Sequence, residues 1–421
     1  MKEVIVPSLL WYGDQKLRLR FPSEWRVDVY PMKGNDFPPL NDKEIKAAFL
    51  KPIGSKPISE LARNSKEVAI VVDDMTRPTR AYQILPPLLE ELRDNGISDD
   101  HVRFIVGLGA HGACDRVDFA KKLGENIVER FPVYNHNPFG GLTYVGDTSR
   151  GTPVHVNSEF LTCDLRIGIG CIVPHPYAGF GGGAKIILPG IAGMNTIVHN
   201  HGKVSGYTGV KSHPHPTTGW GKADGNVLQL DNEDAARLAG LNIKIDAIVN
   251  GGGQTVGLFA GDASKEYREG LKMAKKVYST NAPKEVDIVV ANTYAKANEA
   301  SLAMWLANRT VKSGGVVVLV ANAPDGQVTH YLLGKFGREI GGTFYSGKPH
   351  YPRIGKLIVY SAYEVRDPFL QIADPKEIIW LKEWKEVLEE LEKGNTEKPK
   401  VAVYPNTETQ IPHEEIRGIL D

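Results

Sequence analysis

Three short apolar runs in this 421-residue chain are each followed by residues that can ionise. Val68 to Val72 leads into Asp73, Asp74, Thr76 and Arg77, Val102 to Val106 leads to His111, and Leu165 to Ile169 leads to His175. In open α/β sheets ligands bind beyond the carboxyl ends of parallel strands, so groups this far apart in sequence are expected to converge there. An arginine at such a place suits a substrate carboxylate, because its planar fork gives two parallel hydrogen bonds. The competing reading of Arg77 is a buried ion pair with Asp73 or Asp74. Eight of the twelve histidines fall between His111 and His215. Imidazole titrates near neutrality and ligates borderline metals, so this crowding points to proton transfer or metal binding. His136 and His155 read as satisfied core or loop residues, and His213 and His215, in SHPHPTTGW, as a proline-extended surface loop.

The segment 174 to 202, PHPYAGFGGGAKIILPGIAGMNTIVHNHG, is the densest in candidate chemistry. Gly179 and Gly181 to Gly183 permit backbone shapes that other residues avoid and let a ligand approach the main chain. Lys185 follows directly. It is placed either to hold a phosphate or, desolvated and partly neutral, to bond covalently to a carbonyl-type cofactor. The segment is not a P-loop, because Ile186 occupies the Ser/Thr place, and no G-x-G-x-x-G fingerprint opens a helix. His199 and His201 lie two apart rather than four, so one of them is expected to face a given ligand. These residues leave two other readings open: a metal-dependent hydrolase or lyase holding zinc with His175, His199 and His201, and a non-catalytic sugar-acid binding protein.

The elements that must position these groups read as α/β. Apolar runs recur at Val68–Val72, Val102–Val106, Leu165–Ile169, Ala247–Val249, Val286–Ala291, Val316–Val320, Leu357–Tyr360 and Val401–Tyr404, as buried parallel strands do. Between the first two, Ile84, Leu85, Leu88, Leu89 and Leu92 recur at helical spacing over Ala81 to Asn95, and Gly96 ends the run, giving a βαβ unit. Two α/β domains with mainly parallel sheets are expected, with the active site in the cleft between them. Residues 1–280 are expected to form the cofactor-binding and catalytic domain, ending in a helix over Leu258 to Thr280. Residues 285–395 form the second, closing on a charged helix from Pro375 to Lys393. The tail, 399–421, carries one strand candidate, VAVYP, expected to return to the first domain.

Composition narrows the partners. Lys plus Arg and Asp plus Glu are 50 each, which removes the general electrostatic reason to expect nucleic acid or an anionic membrane. No run of about 18 apolar residues suggests a membrane span and no leader pattern opens the chain. Cys114, Cys163 and Cys171 are too few for a disulfide framework, so a reducing cytoplasm is expected. A small molecule is the expected ligand.

DDMTRP (Asp73 to Pro78), GLGAHG (Gly107 to Gly112), SRGTPVHVN (Ser149 to Asn157), PHPYAGFGGGAKIILPGIAG (Pro174 to Gly193) and NHG (Asn200 to Gly202) together resemble the nickel-dependent lactate racemase family. The likeness covers about the first 275 residues in order and spacing. It implies a nickel pincer cofactor, a pyridinium mononucleotide whose two sulfur-containing arms bind the metal, made by separate biosynthetic proteins. Lys185 matches the lysine joined to this cofactor through a thioamide, with Asp74, Thr76, Gly182 and Gly183 expected on the cofactor side. His201 matches the protein ligand to nickel. His111 and His175 match the two acid/base histidines, and Arg77 matches the substrate-binding arginine.

The chemistry of inversion agrees with those roles. Inverting a carbon that bears hydrogen and hydroxyl requires loss of a weakly acidic proton or temporary oxidation to the 2-keto acid. Hydride transfer avoids the carbanion. Two bases on opposite sides are then needed, because the hydroxyl points differently in the two enantiomers. One departure concerns the substrate. The family supplies a lysine ahead of a V-K-x-G-G turn, matched here by Val311, Lys312, Gly314 and Gly315, yet counting back reaches apolar Leu302. Lys296, Asn298 and Glu299 stand nearby instead. Lys296 and Asn298 are therefore the expected substrate contacts, and a larger or more polar 2-hydroxyacid than lactate fits this segment.

Overall fold

A computed structural model describes residues 1–207, 213–341, 351–364, 376–393 and 398–416. Two six-stranded sheets organise it. The first runs in the spatial order Thr255–Gly261, Ile243–Val249, Leu165–Cys171, Val68–Asp73, Val102–Gly107, Val133–Asn135, all parallel except the edge strand Thr255–Gly261. Every residue of the central strand Val68–Asp73 is buried, as a strand covered on both faces requires. The helix Ala81–Asp94 buries Ala81, Ile84, Leu85, Leu88, Leu89 and Leu92 against it, the expected apolar stripe.

The second sheet is entirely parallel: Ile378–Leu381, Ile354–Tyr360, Val311–Val320, Val286–Asn292, Lys400–Tyr404, Arg26–Val29. This corrects the expected placement of the tail, whose strand inserts into the second sheet. Val401 and Val403 pack into the core on one face, and Ala402 and Tyr404 into the core on the other. Burying a Val contributes roughly 1.5–3 kcal/mol, and only an interior position covers both faces of such a run. Beyond that strand the chain does reach the first unit: Ile411–Pro412 pairs with Ser279–Thr280, and Ile411 and Ile416 enter its core. The N-terminus differs in the same way. The hairpin Lys2–Ser8 and Gln15–Phe21 packs Val4, Val6, Leu19 and Phe21 on the second sheet, which Arg26–Val29 then joins.

Two helix expectations are also corrected. Leu258 to Gly261 belongs to the edge strand, and the helix begins only at Lys265, ending at Val277. The strand it belongs to, Thr255–Gly261, carries Thr255, Val256 and Phe259 and pairs with Ile243–Val249. Likewise Ile378–Leu381 is a strand and the helix is Trp384–Glu392, opened by a capping box between Glu383 and Glu386. Pro375 lies outside the described residues. Among the described residues no helix is long and apolar enough to cross a membrane.

The two units are stitched at the ends of their strands. The backbone at His111 bridges that at His330, with Gly112 donating to Thr329 O (2.9 Å) and Tyr331 to Ala110 O (2.7 Å). Trp220 and Trp305 stack with centroids 5.1 Å apart.

Candidate functional site

The turn after Val68–Asp73 is built by its own carboxylates. Asp74 Oδ1 accepts from the Thr76 amide (2.8 Å) and hydroxyl (2.5 Å), a local closure that frees Oδ2 to face His111 Nδ1 at 2.6 Å. Lys122, 2 % exposed, pins the turn from behind, with Nζ 2.7 Å from Asp73 Oδ1 and 2.8 Å from the carbonyls of Asp74 and Arg77. Burial works against ionising Asp74, but His111 and then Arg77 outweigh it and hold the carboxyl well below the usual range.

Arg77 uses a single nitrogen, Nη1, for Thr76 O (3.1 Å), Thr76 Oγ1 (2.7 Å) and Glu299 Oε2 (2.9 Å). Its Nε and Nη2 make no hydrogen bond among the described residues. The ion pair considered from sequence therefore exists, but with Glu299 rather than with Asp73 or Asp74. Lys296 lies 2.7 Å from the same Glu299 oxygen and is 1 % exposed, so it is no surface lysine. Burial opposes the charge on Glu299, yet Lys296 and Arg77 bring its pKa down to about 2.

His175 sits on the tight pairing of Pro174–His175 with Gly179–Phe180. Its Nδ1 accepts from the amides of Tyr177 and Ala178, both at 3.2 Å, which leaves the ring proton on Nε2. Burial first, then the charges of Lys185, Arg77 and Lys296, push this imidazole well below its ordinary pKa.

Lys185 rides a turn entered through Gly182 and Gly183, at φ +93° and +57°. At Gly182 a Cβ would stand 2.7 Å from Ile172 Cγ1, so a side chain is excluded by contact as well as by conformation. The Gly183 amide donates to Asp246, itself fully buried and paired with Lys244 at 2.5 Å. Burial and the neighbouring Arg77 and Lys296 lower the Lys185 amine to about 7. His201 is carried on a π-helical turn, His199–Val204, a geometry often found at functional sites. The buried Asp231 anchors that turn by accepting from Asn200 Nδ2 at 2.8 Å.

One cavity gathers Arg77, His111, His175, Lys185 and His201 from the first unit with Lys296 and Asn298 from the second. Asp74, Thr76 and Gly182 line an adjoining cavity that shares Arg77, His111 and Lys185 with it, and Gly183 lies behind that wall. His199 is not drawn in: its Nδ1 stands 3.0 Å from Thr152 Oγ1, and among the described residues no three His, Cys, Asp or Glu side chains form a metal cage. This removes the geometric basis for a zinc site of His175, His199 and His201. His136 is buried with Nε2 3.0 Å from Ala192 O, and His213 and His215 are exposed.

His330 and Gln327 are among the lining residues that escaped the sequence reading. His330 packs edge-on against His111, with centroids 5.1 Å apart, and its Nδ1 accepts from Leu332 N (3.2 Å). Gln327 is fixed by Ala300 N and Ala297 O, each at 2.9 Å. Both lie in a loop with no periodicity, and only their pairing with residues 110–112 brings His330 in.

An α/β protein with paired imidazoles, a partly buried amine and an arginine around one cavity is built as an enzyme of small-molecule chemistry, and its relatives give the class as isomerase, of the racemase type. The chain belongs to the lactate racemase family. Residues 12–211 match the family's "Lactate racemase N-terminal domain". The chain is similar to lactate racemase of Lactiplantibacillus plantarum, 31% identical over 295 residues covering 68% of each chain. It is similar to lactate racemase of Thermoanaerobacterium thermosaccharolyticum at 28% over 324 residues, 75% of this chain and 74% of the relative. The fold is that of the solved apoprotein of the latter enzyme (TM-score 0.72, 23% identity, 98% of this chain and 100% of the other). A Thermotoga maritima protein shares it at TM-score 0.62 and 16% identity, over 89% of this chain and 99% of that one.

Proposed function

We propose that this racemase inverts C2 of a 2-hydroxyacid through the planar 2-keto acid, by reversible hydride transfer with a nickel pincer nucleotide. The observation that carries the reading is the convergence of His111, His175, Arg77 and Lys185 on one cavity.

The residues present fit that cofactor. Five glycines, Gly107, Gly109, Gly170, Gly182 and Gly190, line the cavity beside Lys185 and put no side chain into it. Lys185, partly buried and lowered to about 7, is an amine that is nucleophilic near neutrality and suited to a covalent tether. His201 would supply the protein nitrogen to nickel, Asp74, Thr76 and Gly182 would border the cofactor from the adjoining cavity, and Gly183 would shape the turn beneath it. When bound, the group supplies a reversible acceptor for the C2 hydrogen with its electron pair.

The protein's own groups do the rest. Arg77 offers its open Nε and Nη2 to the substrate carboxylate and so fixes C2 in the cavity. Lys296 and Asn298 bound the substrate from the second unit. His111, with its Nδ1 proton held on Asp74, offers Nε2 as the base for the C2 hydroxyl proton, and the Asp74 charge stabilises the imidazolium formed. His175 presents an Nε2 proton to the oxygen of the opposite enantiomer. To act as a base in turn it must carry its proton on Nδ1, which requires giving up the Tyr177 and Ala178 amides. The ligand is a small molecule, neither nucleic acid nor membrane, the cofactor comes from its own biosynthetic proteins, and the setting is a reducing cytoplasm.

The test is purification from cells that make the cofactor, followed by metal analysis, mass measurement on Lys185, and a screen of chiral 2-hydroxyacids in heavy water without added NAD. Stoichiometric nickel, an adduct on Lys185 and inversion without solvent deuterium at C2 are expected. Solvent deuterium at C2 would mean proton abstraction and would end the hydride reading.

A further inference from the structure

The wall that the second unit gives to the cavity carries a carboxylate whose two oxygens are used very differently. Both nearby cations converge on Glu299 Oε2, Arg77 Nη1 at 2.9 Å and Lys296 Nζ at 2.7 Å. Oε1 makes no hydrogen bond or ion pair among the described residues, although the side chain lines the cavity and is only 14% exposed. Asn298, Gln327 and His330 line the cavity as well. With Nδ1 occupied by the Leu332 amide, His330 keeps its proton on Nε2. A methyl substituent needs none of this. A buried charge is costly to keep, and one fixed between two cations with an oxygen left over has an acceptor position to fill.

We propose that Glu299 Oε1 accepts a hydrogen bond from a hydroxyl at C3 or beyond of the substrate, which makes polyhydroxylated 2-hydroxyacids, the aldonic acids, the preferred substrate class. This rests on the reading of the cavity as a 2-hydroxyacid racemase site. Arg77, Lys296 and Glu299 line one cavity, so a substrate whose carboxylate Arg77 holds runs its remaining carbons through the space that the Glu299 carboxylate borders. A hydroxyl there donates to Oε1. A methyl leaves that oxygen desolvated and unpaired, and a second carboxylate is repelled by it. Sites built to bond a substrate hydroxyl reject the analogue lacking it by as much as roughly 10⁴-fold.

Glycerate and lactate differ by that single C3 hydroxyl, and malate replaces it with an extended carboxylate. The loaded enzyme is assayed on glycerate, gluconate, lactate and malate. Glycerate and gluconate are expected to exceed lactate by about 100-fold or more in kcat/KM, with malate the poorest. In Glu299→Gln the ratio of malate to glycerate turnover is expected to rise at least about tenfold, because the repelling charge is gone. The wild-type comparison needs no variant to fold. Lactate turned over as well as glycerate by the wild-type enzyme overturns the assignment and leaves the racemase reading standing. Inversion of none of the four, with nickel and the Lys185 adduct present, overturns that reading and this inference with it.

Discussion

Nδ1 of His111 stands 2.6 Å from Oδ2 of Asp74, with the imidazole partly buried at 14% exposure and the carboxylate buried at 6%. The contact fixes which ring nitrogen carries the proton and so makes Nε2 the basic atom facing the cavity. Asp74→Asn keeps an acceptor in place but removes the charge that stabilises the imidazolium. A fall in kcat of roughly 10²- to 10⁴-fold with KM changed much less is expected, at wild-type nickel content. A variant losing KM instead would show that Asp74 mainly shapes the turn.

The imidazoles of His111 and His175 are held in opposite tautomers. Asp74 puts the proton of His111 on Nδ1, and two backbone amides put that of His175 on Nε2. Glutamine can donate a hydrogen bond but cannot take up a proton. His175→Gln is therefore expected to retain more activity than His111→Gln by about tenfold or more, read by chiral analysis of product. Equal losses would show that both rings work as bases.

Lys185 is partly buried beside Arg77 and Lys296, and its amine is lowered to about 7. In protein made without cofactor, acylation of this residue is expected to be half-maximal near pH 7, since the ammonium form below that pH is unreactive. Peptide mapping across pH 5 to 10 reads it directly, and a midpoint near 10 would contradict the burial argument. Lys185→Ala is expected to lose the covalent adduct.

Glu299 titrates at about 2 in the folded protein against an ordinary 4.5. Between those values the unfolded chain binds the extra proton, so stability rises with pH across this window. The contribution is complete above pH 4.5 and lost as pH falls toward 2, with an upper bound of about 3 kcal/mol. Melting temperatures from pH 6 to pH 3 are expected to fall more steeply for the wild type than for Glu299→Gln. Parallel curves would place the acid sensitivity elsewhere.

Asp231 is fully buried and accepts from Thr148 Oγ1 (2.6 Å), Thr152 Oγ1 (2.8 Å) and Asn200 Nδ2 (2.8 Å). Asp231→Ala strands three donors, and each unmet buried group costs about 1–3 kcal/mol. Because Asn200 precedes His201 on the same turn, nickel retention is expected to fall along with stability. Chemical denaturation and metal analysis of Asp231→Ala and Asp231→Asn measure the two effects separately, and full nickel retention in the alanine variant would free His201 from this anchor.

What the sequence determined about this protein is what local pattern can carry. Fully apolar runs give buried parallel strands, the 3.6-residue stripe from Ile84 to Leu92 gives the helix between two of them, and chemistry placed just past strand ends marks one edge of a sheet. Arg77, His111 and His175 were legible as candidates for that reason, Lys185 from the glycine turn before it, and His201 from the resemblance to a family. Tertiary structure alone decided what depends on partners far away in the chain. VAVYP reads as a strand anywhere, but only the gap between Val286–Asn292 and Arg26–Val29 covers both its faces. The partner of Arg77 lies 222 residues away at Glu299, and His330 comes beside His111 through a backbone bridge between loops without periodicity. Long-range packing chose these neighbours, because burial and charge pairing are satisfied by position in space, which local spacing does not encode.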